Sequence, residues 1–472
     1  MKKNSRYETR LTANRRAILV ACLTVAAGMA LGAQPSADAV SRKIQAVDAL
    51  FSVVNGSASP GAAVAVLQDD TTLLLKGYGM ADVSSAMPIT PQTRFRIGSV
   101  TKPFTAIAVL QLVEIGKLSL DDSIDKFLPD LPFGGQVKVE HLLSHTAGVP
   151  DFIPEDAAKR TALEFEPGSR INYSNTGYHM LGRIIERVTG GTWEQCIRTQ
   201  ILAPLGMENT GFDNRRELAG RAAGYRAGAD GGHTAVDLGD AKGAYAAGGV
   251  YSTAEDMLRL ARGIRDGKLL SKEMLELATA PRVLSDGRHV VYGLGWMTRE
   301  YKGLREVSHG GDIGGFNAYL ALYPDEGYAV AVLSNVEMRP PGRLQDAGAL
   351  AHKIVDVWLA DELASPAQVQ PVRVPVETLD RYVGRYRIEA PETIRRNMGD
   401  EIAIRRDGNG LRAEANGRDV ALVADSTVRF RSPNSPVELV FVCEDSGNCP
   451  KVVISLLGLR EFHAVRIVAQ TR

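Results

Sequence analysis

Apolar residues occupy nearly every helical face between Phe104 and Ile115, where Phe104, Ala106, Ile107, Ala108, Val109, Leu110, Leu112, Val113 and Ile115 leave almost no polar stripe. A surface helix keeps such a stripe, so this stretch predicts a helix buried all round, capped behind by Gly116. Pro103 has no N–H to lose, which suits the first turn of a helix, and it sets the helix start beside Ser99. The 3.6-residue period recurs over residues 40–54, 177–188, 193–202 and 346–359, and a short helix is expected over 139–144. Another runs over 253–264, where Thr253 serves as N-cap with Asp256 three residues on.

β-type runs stand near both ends of this region. Residues 62–67 and 72–78 form a hairpin across Gln68-Asp69-Asp70-Thr71. Residues 306–308, 316–323 and 328–333 are three more, the last two joined by the turn Pro324-Asp325-Glu326-Gly327. An antiparallel sheet drawn from the two ends of a domain, with helices inserted between, is an α+β arrangement. Residues 364–375 are rich in Pro, Ala, Gln and Val without periodicity and predict a linker. Beyond it come short β runs at 382–388, 401–406, 411–415, 420–424, 428–430, 438–443 and 452–456, with hairpin signals at Asp407-Gly408-Asn409-Gly410 and Asn416-Gly417. Their even spacing predicts a small all-β barrel or sandwich.

The N-terminus changes the picture of where the protein works. Lys2, Lys3, Arg6, Arg10, Arg15 and Arg16 precede an apolar run to Ala33, and Ala37-Asp38-Ala39 supplies a small-residue cleavage pattern, as in an export signal. Arg15-Arg16 resembles a twin-arginine signal without its downstream lysine; too few apolar residues precede Cys22 for a lipoprotein signal. The alternative is an uncleaved anchor, for which the run is short. The expected organisation is therefore a signal over 1–39, a first domain over 40–363, a linker over 364–375 and a β domain over 376–472, in a chain exported to the periplasm or exterior. After signal removal no membrane span is expected. Lys plus Arg and Asp plus Glu number 55 each, and a net charge of zero argues against nucleic acid as a partner. In an exported chain Cys443 and Cys449 are spaced to close a small disulfide loop, while Cys196 lies in a helical pattern as a buried thiol. No Cys/His cluster has metal spacing, and His141 and His145, four apart without an intervening Glu, take a structural role.

Candidate chemistry begins at Ser99. Lys102 follows three residues later, so on a helix both project from one face, and a lysine kept from water can lose its charge and take the serine proton. The positive end of a helix also suits an oxyanion. In Tyr173-Ser174-Asn175, alternation turns Tyr173 and Asn175 the same way if the segment is extended. A phenol beside an ammonium has a lowered pKa, which would let Tyr173 shuttle a proton, and Asn175 offers a donor and an acceptor to a substrate amide. In Ser308-His309-Gly310-Gly311-Asp312, at a strand end, glycines let a substrate backbone approach the sheet edge, and His309 can hydrogen-bond or carry charge.

Ser99-x-x-Lys102, Tyr173-x-Asn175 and His309-x-Gly311, in this order, resemble the penicillin-recognising serine hydrolases and specifically the class C β-lactamase branch. The resemblance extends through Leu142-Leu143-Ser144-His145-Thr146-Ala147-Gly148, Pro204-Leu205-Gly206-Met207, Gly248-Gly249-Val250-Tyr251 and Leu333-Ser334-Asn335, and covers about residues 45–360. It implies a β-lactamase/transpeptidase-like sheet flanked by helices, with an all-α part. It also implies acylation of Ser99, general-base and general-acid roles shared by Lys102 and Tyr173, and substrate contacts from Asn175, His309 and Gly311. The oxyanion hole would be the backbone N–H groups of Ser99 and Asp312, with no cofactor. Most β-lactamases of this branch carry lysine where this chain has His309, and histidine there resembles certain DD-peptidases, D-aminopeptidases and esterases. A histidine is charged only in part at neutral pH, which weighs against efficient β-lactam hydrolysis. The Tyr382-Val383-Gly384-Arg385-Tyr386 start of the β domain resembles the lipocalin-like appendages of D-stereospecific peptidases. The expected activity is hydrolysis of an amide or ester in D-amino-acid peptides or small esters, peptidoglycan-derived ones among them. The rivals are a true β-lactamase and a non-catalytic peptidoglycan binder. No G-x-S-x-G elbow, P-loop or Rossmann fingerprint is present.

Overall fold

The computed structural model describes residues 37–467 apart from 55–58, 152–161, 213–219, 229–231, 238–240, 338–345, 364–371, 391–394, 397, 434–436, 445 and 457. The export signal expected over 1–39 thus falls almost wholly outside the described residues, and Ala37-Asp38-Ala39 forms the first turn of a helix, Ala37–Leu50. Most of the expected linker, 364–371, lies outside them as well. Among the described residues no helix is long and apolar enough to cross a membrane.

The first sheet has six antiparallel strands. β1 (Ala62–Gln68) pairs with β2 (Thr71–Tyr78) on one side and with β6 (Tyr328–Ser334) on the other. The sheet continues through β5 (Phe316–Tyr323) and β4 (Leu304–Ile313) to an edge strand, β3 (Met297–Tyr301), which the sequence pattern did not predict. Gly61 N–H donates to Asn335 Oδ1 at 2.9 Å across 274 residues, tying the chain's early hairpin to its late meander. Every residue of β5 and β6 is buried, which explains their unbroken apolar runs: helices cover both faces, so neither face needs polar side chains.

Alternation sorts the two faces of β4. Val307 joins Leu320, Leu322, Ala63 and Ala65 in the main core. This core also holds α1 (Thr101–Glu114), α2 (Asn175–Thr189) and α3 (Ala254–Arg265). Glu306 and Ser308 point the other way, under α4 (Ala347–Trp358), where Glu306 accepts from Tyr319 and Tyr323 hydroxyls at 2.7 Å and meets His352 Nε2 at 2.7 Å. Burial alone would raise the Glu306 carboxyl, but these hydrogen bonds and the His352 charge hold it down at about 2.

α1 is buried from Thr101 to Leu110 and at Leu112, as the pattern predicted; its last turn emerges, leaving Ile115 exposed. Gly116, at φ +68°, ends it in a Schellman arrangement, with Lys117 N–H on Leu112 O at 2.9 Å and Gly116 N–H on Val113 O at 3.0 Å. The helix expected over 193–202 is α-helical only over Trp193–Ile197 and π-helical over Arg198–Leu202.

The C-terminal part is a closed antiparallel barrel of eight strands. They are β7 (Gly384–Glu389), β8 (Glu401–Asp407), β9 (Gly410–Ala415), β10 (Arg418–Ala424), β11 (Arg429–Arg431), β12 (Val437–Val442), β13 (Lys451–Leu456) and β14 (Arg460–Arg466). Seven were expected from the pattern. The eighth, β14, closes the ring by pairing Arg466 with Tyr386. A short helix, Val376–Tyr382, precedes the first strand and delivers Tyr382 to the interior, stacked on Phe441 at 4.1 Å. The Asn416-Gly417 hairpin has positive φ at both residues, the two-residue turn that Asn-Gly favours. Cys443 and Cys449 are disulfide-bonded and Cys196 is a buried free thiol.

Candidate active site

Ser99 sits in a single 3-10 turn, Gly98–Val100, directly ahead of α1. β3 pairs with β4 only up to Ser308, so the end of β4 is left open on that side, and the Ser99 turn packs against it. The approach is closer than any side chain allows: a Cβ on Gly311 would stand 1.9 Å from Ile97 O and 3.0 Å from Ser99 N, and one on Gly98, at φ +50°, would stand 2.9 Å from Asp312 N. The main-chain amides of Ser99 and Asp312 therefore belong to two abutting stretches of backbone. Gly311→Ala is expected to force these stretches apart and to cut kcat/KM by ~10²-fold or more, the cost of displacing reacting groups by about an ångström. Retention of both full rate and wild-type circular dichroism would refute it.

Lys102 is wholly buried, and its Nζ has three partners: Ser99 Oγ at 3.2 Å, Asn175 Oδ1 at 2.7 Å and Ala247 O at 3.0 Å. Burial pulls the Lys102 ammonium down to about 7, against the upward pull of the Asp151 carboxylate. The charged form donates to all three oxygens; in the neutral form two N–H groups go to Asn175 Oδ1 and Ala247 O and the lone pair is left to face the Ser99 hydroxyl.

Asn175 opens α2 behind the N-cap Ser174, whose Oγ accepts from Gly177 N–H at 3.2 Å. Ser174 has extended backbone, which turns Tyr173 and Asn175 toward the same side. The Tyr173 hydroxyl neighbours Ser99, which favours the phenolate, and Lys102 Nζ lies 4.6 Å from the Tyr173 ring centre. The expected lowering of the Tyr173 pKa does not occur. Burial pushes the phenol well above its ordinary value and outweighs the effect of Ser99, because the same desolvation that lowers Lys102 penalises a phenolate.

His309 also departs from expectation. It is buried, with Nδ1 at 2.6 Å from Gly310 O and Nε2 at 2.8 Å from the Tyr292 hydroxyl. A carbonyl only accepts, so Nδ1 carries the proton and, in the neutral ring, Nε2 accepts from Tyr292. Burial, seconded by the Lys102 charge, pulls its pKa down to about 3. The partial positive charge expected at neutral pH is therefore absent, and both ring nitrogens are engaged within the protein.

Other residues complete the site without having been picked out from sequence for it. His145, at φ +60° and buried, accepts from Ser174 N–H through Nδ1 at 3.1 Å and lies 4.2 Å ring to ring from Tyr173. Asp151 Oδ1 accepts from Asn175 N–H at 2.7 Å and from Nδ2 at 3.2 Å. The turn between β13 and β14 of the barrel meets the same loop. Tyr173 N–H donates to Leu459 O at 2.9 Å, Glu461 N–H donates to Ile171 O at 3.2 Å, and Arg460 Nη2 binds Asp151 Oδ2 at 3.0 Å. Leu459 and Tyr173 pack on one small apolar cluster of Ile171, Leu284, Val290, Tyr292 and Met297. A lone Asp after a Gly-Val-Pro turn and an Arg in a weakly apolar β run carry no sequence signal of such roles.

The fold and the comparisons agree on a class. Residues 42–353 match the family model described as Beta-lactamase, and the chain belongs to that family, as a serine hydrolase. It is 30% identical over 345 residues to penicillin-binding protein 4* of Bacillus subtilis (strain 168), covering 66% of this chain and 76% of that one. It is 28% identical over 309 residues to protein flp of Staphylococcus aureus (strain MRSA252), covering 59% of this chain and 60% of flp. The octameric penicillin-binding protein homologue from Pyrococcus abyssi superposes with a TM-score of 0.59 at 26% identity, over 91% of this chain and 100% of that one. The D-amino acid amidase from Ochrobactrum anthropi SV3, complexed with L-phenylalanine amide, has a TM-score of 0.59 at 26% identity, over 68% and 99% of the two chains.

Proposed function

We propose that the protein is an exported acyl-serine hydrolase acting on amides or esters of D-amino acids and on small esters. The observation that carries the chemistry is the Lys102 amine, 3.2 Å from Ser99 Oγ and lowered to about 7, so that a large share of it is neutral at neutral pH. Ser99 Oγ bonds to the substrate carbonyl carbon as its proton passes to Lys102 Nζ. The oxyanion meets the N–H groups of Ser99 and Asp312. Collapse breaks the bond to the leaving amine or alcohol, which takes a proton from Tyr173, itself reprotonated by Lys102. Water then attacks the acyl-enzyme, giving a proton to the same pair; collapse breaks the acyl–Oγ bond, and Ser99 Oγ takes that proton back as the acid leaves. Asn175 is assigned to the substrate amide, whereas the bare face of Gly311, expected to admit a substrate backbone, is filled by the chain's own Ile97–Ser99 backbone.

The D-amino acid reading is supported by the likeness to a D-amino acid amidase, and the export reading by the N-terminal pattern and the Cys443–Cys449 bond. A neutral, internally bonded His309 supplies no fixed cation for a β-lactam carboxylate, which favours this reading over a β-lactamase. The test is a panel of D- and L-phenylalanine amides, a nitrophenyl butyrate and a chromogenic cephalosporin. The D-amide and the ester are expected to turn over, with the L-amide and the cephalosporin ~10²-fold slower. Cephalosporin turnover exceeding the others would make it a β-lactamase. No turnover, with no labelling by a fluorophosphonate, would make it a binder.

A further inference from the structure

We propose that Arg460, delivered by the barrel, is a positioning residue for acyl transfer: it pins Asp151, and Asp151 sets which way the Asn175 amide faces Lys102. This rests on the acyl-serine reading above. The connection is continuous: Arg460 Nη2 to Asp151 Oδ2 at 3.0 Å, Asp151 Oδ1 to Asn175 Nδ2 at 3.2 Å, Asn175 Oδ1 to Lys102 Nζ at 2.7 Å, and Lys102 Nζ to Ser99 Oγ at 3.2 Å.

An asparagine amide has a donor end and an acceptor end, and only the acceptor end suits Lys102. Turned over, it would set N–H groups against the amine, and Lys102 would spend its lone pair on Asn175 instead of on Ser99. A carboxylate accepts and never donates, so Asp151 holds the amide the right way round, reinforced by its bond from Asn175 N–H at 2.7 Å.

The same carboxylate carries a cost for the reaction. Its charge raises the Lys102 pKa, and a protonated lysine is no base. Among the described residues the other titratable groups around Lys102 are Tyr173 and Tyr178, 4.6 and 5.4 Å from ring centre to Nζ, and His145, His179 and His309. Burial keeps all five neutral at pH 7: both phenols are raised and all three imidazoles lowered. Among the described residues Asp151 is thus the anion acting on Lys102, and the Arg460 guanidinium bound to it offsets its charge. Arg460 is itself held firmly, by the main-chain bridge to Asn172, by Leu459 O on Tyr173 N–H, and by Glu461 on Arg288 Nη1 at 2.7 Å. The barrel in this view is part of the catalytic apparatus through one side chain.

The test compares the full-length wild type with Arg460→Ala, Arg460→Lys and Asp151→Asn, using nitrophenyl butyrate from pH 5 to 10, with fluorophosphonate labelling of Ser99 and thermal melts. Arg460→Ala is expected to lower kcat ~10–100-fold with KM within ~3-fold, and to move the acid limb of the profile to higher pH. Arg460→Lys is expected to restore most of kcat and the limb. Asp151→Asn is expected to move the limb the opposite way, to lower pH, because the anion is gone. A merely structural contact would lower activity and melting temperature together and leave the limb in place. A limb unmoved in Arg460→Ala, or moved alike in Arg460→Ala and Asp151→Asn, overturns the proposal while intact labelling preserves the acyl-serine reading. Absence of labelling in the wild type overturns both.

Discussion

Alanine at position 99 is expected to lower kcat/KM by ~10⁴-fold or more on every substrate the wild type turns over, and to abolish covalent labelling by a fluorophosphonate. The expectation follows from how few other groups can act. Lys102 is directed by Asn175 Oδ1 and Ala247 O so that its remaining valence faces the Ser99 oxygen, and Tyr173 neighbours the same hydroxyl. Removing that oxygen leaves the backbone amides of Ser99 and Asp312 and the Asn175 side chain in place, so under the proposed mechanism binding is expected to survive while the covalent route is lost. The fold is expected to be unaffected, since the side chain removed is small and the turn is fixed by backbone contacts at Gly98 and Gly311. Progress curves and intact-protein mass spectrometry decide the matter. A variant that keeps a tenth of the wild-type rate would transfer the nucleophile elsewhere.

The second large effect is on pH. Lys102 is charged below its pKa of about 7 and neutral above it. Only the neutral amine can take the Ser99 proton, so kcat/KM is expected to rise tenfold per pH unit below this value and to level off above it. His309 does not add an ionisation in this range, being neutral down to about pH 3, and the raised Tyr173 keeps the plateau from falling until strongly alkaline pH. Lys102→Arg keeps a cation that never deprotonates and is expected to lose ~10³-fold at every pH, with no acid limb remaining. Rates of an uncharged ester across pH 5–10 test both statements. A limb near 7 that persists in Lys102→Arg would assign the ionisation to another group.

Much of this was legible in the residue order because it is local. The all-apolar run after Pro103 marked α1, Gly116 closed it, Thr253 capped α3, and Asn416-Gly417 turned a hairpin. Two of the missed strands have patterns that make sense only against a partner. β14 buries Phe462 and Ala464, but Arg460 and Arg466 share that face and Glu461 and His463 lie on the other, too little apolar content to declare itself; its pairing with β7 makes it a strand. β3, at the sheet edge, has a mostly polar makeup for the same reason. Asp151 and Arg460 meet across 309 residues, and nothing in either's neighbourhood announces the other.

By itself the sequence determined which functional groups are available and their local spacing: a hydroxyl and an amine one helical turn apart, a phenol and an amide alternating ahead of a helix, and glycines where a strand must be approached. The tertiary structure alone decided their states. Lys102 can lose its charge near neutral pH, Tyr173 keeps its proton and His309 stays neutral because all three are buried together, and burial is made by strands and loops drawn from distant parts of the chain. Spacing is a property of neighbours along the chain, whereas protonation is set by everything that displaces water around a group.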